Sequence, residues 1–135
     1  MENNHITENL KAHFLRLYQM AICDDDFSAL ELKMLYNCAE ERGIPSKNLD
    51  EILLNPINLK SLVPQTIEEK VDYLYDLTVM IWADGIVSPN EYIAIQKYVL
   101  MFGFLEENVT AIVDYLIEAI RIGKNKSEIL YELKN

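Results

Sequence analysis

Residues 84–91 read DGIVSPNE, and sixty residues earlier residues 24–31 read DDDFSALE. Asp, Ser and Glu recur at the same three places. Extending the sixty-residue shift outward pairs Leu17 with Leu77, Met20 with Met80, Gly43 with Gly103, Asn48 with Asn108 and Ile52 with Ile112. With Asp24/Asp84, Ser28/Ser88 and Glu31/Glu91, that makes eight identities over residues 17–52 without a gap. Apolar character also corresponds at Leu32/Tyr92, Leu35/Ile95, Ala39/Val99 and Ile44/Phe104. Two copies of one unit are implied, and two are too few for a solenoid, so they share one core.

The unit is helical. Leu10, Phe14, Leu17, Tyr18 and Ala21 recur at the 3.6-residue period, as do Val71, Leu74, Leu77, Thr78 and Ile81. A turn at 24–27 or 84–87 then leads to a second helix from Ser28 or Ser88. S-x-x-E at each start is a capping box: the Ser oxygen accepts a first-turn N–H and the Glu reaches back to the Ser N–H. Pro89 suits the first helical position, where its missing N–H costs nothing. Gly43 and Gly103 stop these helices. A third helix is short near 46–54 and longer at 106–122, and TIEE (66–69) and NKSE (125–128) give similar start signals. The expected fold is all-α: one domain over 1–135 with about seven helices in two pseudo-symmetric repeats. Repeat one spans about 6–55, a proline-containing linker about 56–65, repeat two about 66–122 and a terminal helix about 127–134.

A chain of 135 residues, half of them hydrophobic, can bury a core without metal or disulfide. The formal net charge of −10 repels phosphate, which argues against nucleic acid and against anionic membrane surfaces. Cations and basic protein patches are the charged partners it suits. No apolar run reaches the length of a membrane span. The start, MENNHITENL, has no apolar targeting core, so the expected location is the cytoplasm. Cys23 and Cys38 read as buried free thiols. His5 and His13 read as helix-surface or edge residues, Trp82 as packed between the halves, and the tyrosines as core-edge residues with hydroxyls at water.

The repeated turn also looks like the back half of a calcium loop. With Asp84 at position 5, Gly85, Ser88 and Glu91 fall on positions 6, 9 and 12, but Met80 and Trp82 fall on 1 and 3, where carboxylates are needed. Met20 and Ile22 occupy those places in the first copy, so neither turn is an EF-hand. Capping explains Ser28, Ser88, Glu31 and Glu91; it does not explain Asp24 and Asp84. Both stand at the negative end of a helix dipole, and CDDDF (23–27) adds Asp25 and Asp26. Such oxygen-rich turns are either a hard-cation site or solvated polar turns.

The run MIWADGIVSPNEYIAIQKYVLMFGF (80–104), with its degenerate partner MAICDDDFSALELKMLYNCAEERGI (20–44), resembles the TerB-like family of tellurite-resistance proteins. The similarity covers about residues 10–122. It implies an all-helical domain of two pseudo-symmetric halves, found as a module in stress-response and co-chaperone proteins. It also implies a divalent cation such as calcium or magnesium bound near the helix turns. Carried onto this chain, the implied ligands are Asp84 and Glu91 and, by the repeat, Asp24 and Glu31; Asp25 stands where the pattern has glycine. With Asp25 added from the acidic CDDDF turn, the candidate metal-ligating set is Asp24, Asp25, Glu31, Asp84 and Glu91. No glycine-rich phosphate loop or Cys–His pair points to catalysis. The expected function is a non-catalytic, cation-responsive accessory module in a stress response. The alternative is a metal-independent helical domain that meets a protein partner.

Overall fold

The structure is a computed structural model. It describes residues 8–22, 29–54, 63–82, 85 and 87–134, the side chains of 21, 22, 29 and 30 excepted. Helix α1 is Glu8–Ile22, α2 Ala29–Glu41, α3 Ser46–Leu54, α4 Ile67–Ile81, α5 Pro89–Met101, α6 Val109–Arg121 and α7 Lys126–Lys134. A 3-10 turn, Glu106–Asn108, leads into α6. All seven are helices and no strand occurs among the described residues, as the periodicity required. The bounds of α5 are those of α2 moved by sixty residues.

Local chemistry sets these ends. Ser88 is a complete capping box: its Oγ accepts from Glu91 N at 3.1 Å, and its own N–H donates to Glu91 Oε1 at 3.0 Å. Asn125 and Glu128 exchange the same two bonds at 2.9 Å ahead of α7, which therefore begins at Lys126, not Ser127. Thr66 caps α4 through Glu69 N at 3.1 Å. Gly43 and Gly103 end α2 and α5 at φ of 76° and 98°, the left-handed region that glycine enters without a Cβ clash. The N–H after each turns back five residues, Ile44 to the Ala39 carbonyl at 2.9 Å and Phe104 to the Val99 carbonyl at 3.4 Å. This is the Schellman arrangement, made at the ends of both α2 and α5.

Helices α1 and α4 lie against each other at the centre; α2 and α3 pack on α1, α5 and α6 on α4 and on one another, and α7 closes over α4. Phe14, Leu17 and Met20 of α1 and Leu74, Leu77 and Met80 of α4 are fully buried. Each contributes roughly 1.5–3 kcal/mol by leaving water. Trp82 donates Nε1–H to the Ile117 carbonyl at 3.1 Å, tying the end of α4 to α6.

Candidate functional site

The N-termini of α2 and α5 bring Glu31 and Glu91 together. Both are 2% exposed, and their carboxyl groups hydrogen-bond to each other, one protonated and donating. Glu91 is held in place by its capping bond to Ser88 N–H. Burial, aided by the Glu31 carboxyl and opposed by the Ser88 N–H, pushes the Glu91 carboxyl up to about 7. Near neutrality Glu91 is therefore partly protonated, because burial and the adjacent carboxyl disfavour its charged form.

Of the five ligand candidates, Glu31 and Glu91 are the two the structure brings together. Asp24, Asp25 and Asp84, together with Ser28, Cys23 and His5, lie outside the described residues. Two carboxylates are the right donor chemistry for a hard cation, although calcium takes six to eight oxygens. Among the described residues no group of three or more His, Cys, Asp or Glu side chains is placed to hold a metal. The periodicity contained a signal for this pair. Glu31 and Glu91 occupy the same place in the sequence under the sixty-residue shift.

A second polar cluster was not foreseen. His13, expected at a surface or edge, is completely buried. Its ring stacks on Tyr73 at 4.1 Å between centroids and 11° between planes. Its Nε2 lies 2.8 Å from Asp76 Oδ2. Arg42, from the end of α2, forks onto Asp72 at 3.2 and 3.1 Å and also bonds Asp76. Lys126 of α7 reaches Asp72 at 2.5 Å and Asp76 at 3.6 Å.

The electrostatics follow from burial and pairing. Burial lowers His13 below its usual range, against the pull of Asp76, so the ring is neutral at pH 7. Neutral His13 then donates from Nε2 to Asp76, which assigns the tautomer from the partner. Its Nδ1 is buried and has no hydrogen-bond partner among the described residues. Burial alone would raise Asp76, but the His13 bond and Arg42 outweigh it and hold the carboxyl at about 2. Asp72 is lowered likewise by Arg42 and Lys126, in spite of burial.

A His–Asp pair can serve as a general base, but here the ring is fully covered and packed against Tyr73. The nearby thiol of Cys38 is pushed to about 12 by burial, so it is not a nucleophile at neutral pH. The cluster's observable effect is mechanical: it ties α1, α2, α4 and α7 through five side chains. The tyrosine hydroxyls are also more engaged than expected. Tyr36, Tyr92 and Tyr115 donate to Asp50, Asp114 and Glu132, and Tyr98 to Gln19 at 2.9 Å.

No helix among the described residues is long and apolar enough to cross a membrane. Compared with known proteins, the chain matches no family model, no curated protein and no solved structure.

Proposed function

We propose that the chain is a non-catalytic accessory module of the TerB-like kind. It serves a cytoplasmic stress response by binding a divalent cation, calcium or magnesium, through acidic residues at its helix turns. Contact between the buried Glu31 and Glu91 carboxyls carries this reading. Such a pair holds a proton or a cation, because either relieves the repulsion between two carboxylates. By the sequence pattern alone, Asp24, Asp25 and Asp84 complete the proposed ligand set. A bound cation would supply charge neutralisation there, and the protein's own contribution is to fix two oxygen donors on two helix starts.

The two halves are, on this reading, related by a pseudo-twofold. Two observations favour it. Glu31 touches Glu91 and His13 stacks on Tyr73, and in each case the partners stand sixty residues apart. Residues on opposite sides of a twofold axis meet their own equivalents in this way.

The experiment is a melt in millimolar calcium, magnesium or manganese, with sodium at matched ionic strength as the screening control. A cation at a hundred times its dissociation constant adds roughly 2.7 kcal/mol, on the order of 10 °C for a domain this size. Glu91→Gln should remove the shift, and binding at pH 6.5 should release protons from Glu91. If none of the three cations moves the melting temperature beyond the sodium control, the cation reading fails. The metal-independent alternative, a helical domain for a protein partner, is then preferred.

A further inference from the structure

Helix α5 is apolar on two sides. Ile95, Tyr98 and Val99 face the core. Ile93, Leu100 and Met101 do not; they are 49%, 48% and 38% exposed, and Leu105, just beyond the helix, is 62% exposed. Exposed aliphatic side chains grouped on one face ordinarily mark a contact surface. The fold itself does not require this choice. Sixty residues earlier the same four positions are Lys33, Glu40 and Glu41 of α2 and Pro45 just beyond it, all exposed. The first copy thus shows this helix face solvated by charge, where the second presents aliphatic side chains.

Grooves run along both flanks of the ridge. One, of about 440 Å³, lies between α1 and α5 and includes Gln19 and Met101. The other, of about 340 Å³, lies between α5 and the start of α6 and includes Leu100 and Val109. Ile93 and Lys97 line both, so the grooves and the ridge form one surface. From Ile93 to Met101 the ridge is roughly 12 Å long, a little over two helical turns. Lys97 is the only charged side chain on the outer face of α5, and no carboxylate among the described residues pairs with it.

We propose that this face of α5 docks an amphipathic helix of a partner protein, with apolar residues spaced i, i+3/i+4, i+7 and a carboxylate opposite Lys97. The spacing follows from laying one helix along another. The carboxylate follows from charge complementarity to Lys97 at the middle of the ridge; the one other charge on this surface, Glu106, lines the groove on the α6 side and is not paired with it. A second copy of this chain fits less well. Lys97 lies midway between Ile93 and Met101, so antiparallel pairing of two α5 ridges sets Lys97 against Lys97. Each copy also carries a net charge of −10. The proposal rests on reading the chain as a partner-binding module but not on the Glu31–Glu91 pair, so loss of the cation response leaves it standing.

The probe is a display library of helical fifteen-residue peptides with randomised surfaces, selected on the full chain and measured by fluorescence anisotropy. Selected peptides should carry the apolar spacing with a central Asp or Glu. Their binding should fall at least tenfold in Ile93→Lys and in Leu100→Glu, substitutions that copy the residues sixty positions earlier, with melting temperatures close to that of the parent. Lys97→Glu should reverse the charge preference, favouring peptides with a central Lys over those with Glu by a similar factor. The proposal is overturned if no peptide is selected, if binding survives both aliphatic substitutions, or if peptides with Glu and Lys bind equally well. A dimer in sedimentation that Leu100→Glu dissociates also overturns it, by making a second copy the occupant.

Discussion

Replacing Asp76 by Asn tests whether the buried charge cluster holds the helices together. The carboxyl is held at about 2 in the folded protein, against 3.8 when unfolded. That difference corresponds to roughly 2.4 kcal/mol favouring the ionised form in the fold. The sign is that of a lowered acid. The stabilisation is complete above about 3.8 and is lost as pH falls through about 2. Geometry gives a similar figure by a separate route. Removing one partner of a buried ion pair typically costs about 3–5 kcal/mol when the other charge is left alone. Here Arg42 and Lys126 both keep Asp72, at 3.1 and 2.5 Å, so the cost should fall short of that range.

The expected loss is therefore about 2–3 kcal/mol at pH 7, or on the order of 10 °C in melting temperature. Urea unfolding of the parent and of Asp76→Asn, followed by circular dichroism from pH 7 downward, measures it. The gap should stay constant to about pH 4 and then close as Asp76 in the parent protonates. Taking the difference between the two proteins cancels the other acids, including Asp72. A gap below about 0.5 kcal/mol at pH 7, or one unchanged down to pH 2.5, would refute the account, since the first outcome falls within the scatter of surface substitutions.

Other outcomes follow from the same geometry. Because Glu91 is raised from 4.5 to about 7, its contribution is present below 4.5 and lost as pH rises through 7. Glu91→Gln should thus melt higher than the parent at pH 8, by about 1–2 kcal/mol after allowance for solvent screening, and match it near pH 4.5; parallel melting curves across that range would contradict a partly protonated Glu91. Ser88→Ala should cost about 1 kcal/mol in chemical denaturation, since it strips the α5 capping box. Cys38, buried and with its thiol pushed to about 12, should react with a water-soluble disulfide reagent only on the timescale of unfolding, and labelling within seconds would show that the thiol is reachable.

The helices were legible because their signals are local. A capping box at Ser88, a proline at the first position and a glycine at 103 fix both ends of α5, and the structure returns Pro89–Met101. The polar cluster was not legible, because its members are distant in sequence. His13 meets Asp76 across sixty-three residues, and Lys126 meets Asp72 across fifty-four. On its own helix His13 sits one residue from Phe14 on the apolar stripe, which hinted at burial but named no partner. The Glu31–Glu91 contact lay between these cases. Capping accounted for each glutamate singly, and only the repeat could place one against the other.

The proposed twofold also explains why the charged cluster has no charged counterpart. Moving by sixty residues turns Arg42 into Phe102 and Asp76 into Arg16. The contact Arg42–Asp76 therefore maps onto Phe102–Arg16, and both contacts are made. The first is an ion pair; in the second the Arg16 guanidinium lies 5.2 Å from the centre of the Phe102 ring. The same pair of positions is filled in one copy by two charges and in the other by a cation on an aromatic face. Asp72 then becomes Ala12, so the second carboxylate that Arg42 uses is absent from the first copy. On the proposed twofold, the two units keep their backbone contacts while the side chains at each interface diverge. The aliphatic ridge on α5 and the charged face of α2 are the solvent-facing version of that divergence. An exchange of Arg16 to Asp together with Phe102 to Arg would recreate the first interface in the second copy. It should fold if the positions are equivalent, whereas Arg16→Asp alone leaves a buried acid against an aromatic ring and should unfold readily. Equal destabilisation of the single and double variants, read by urea unfolding, would mean that the two contacts are alike only in number.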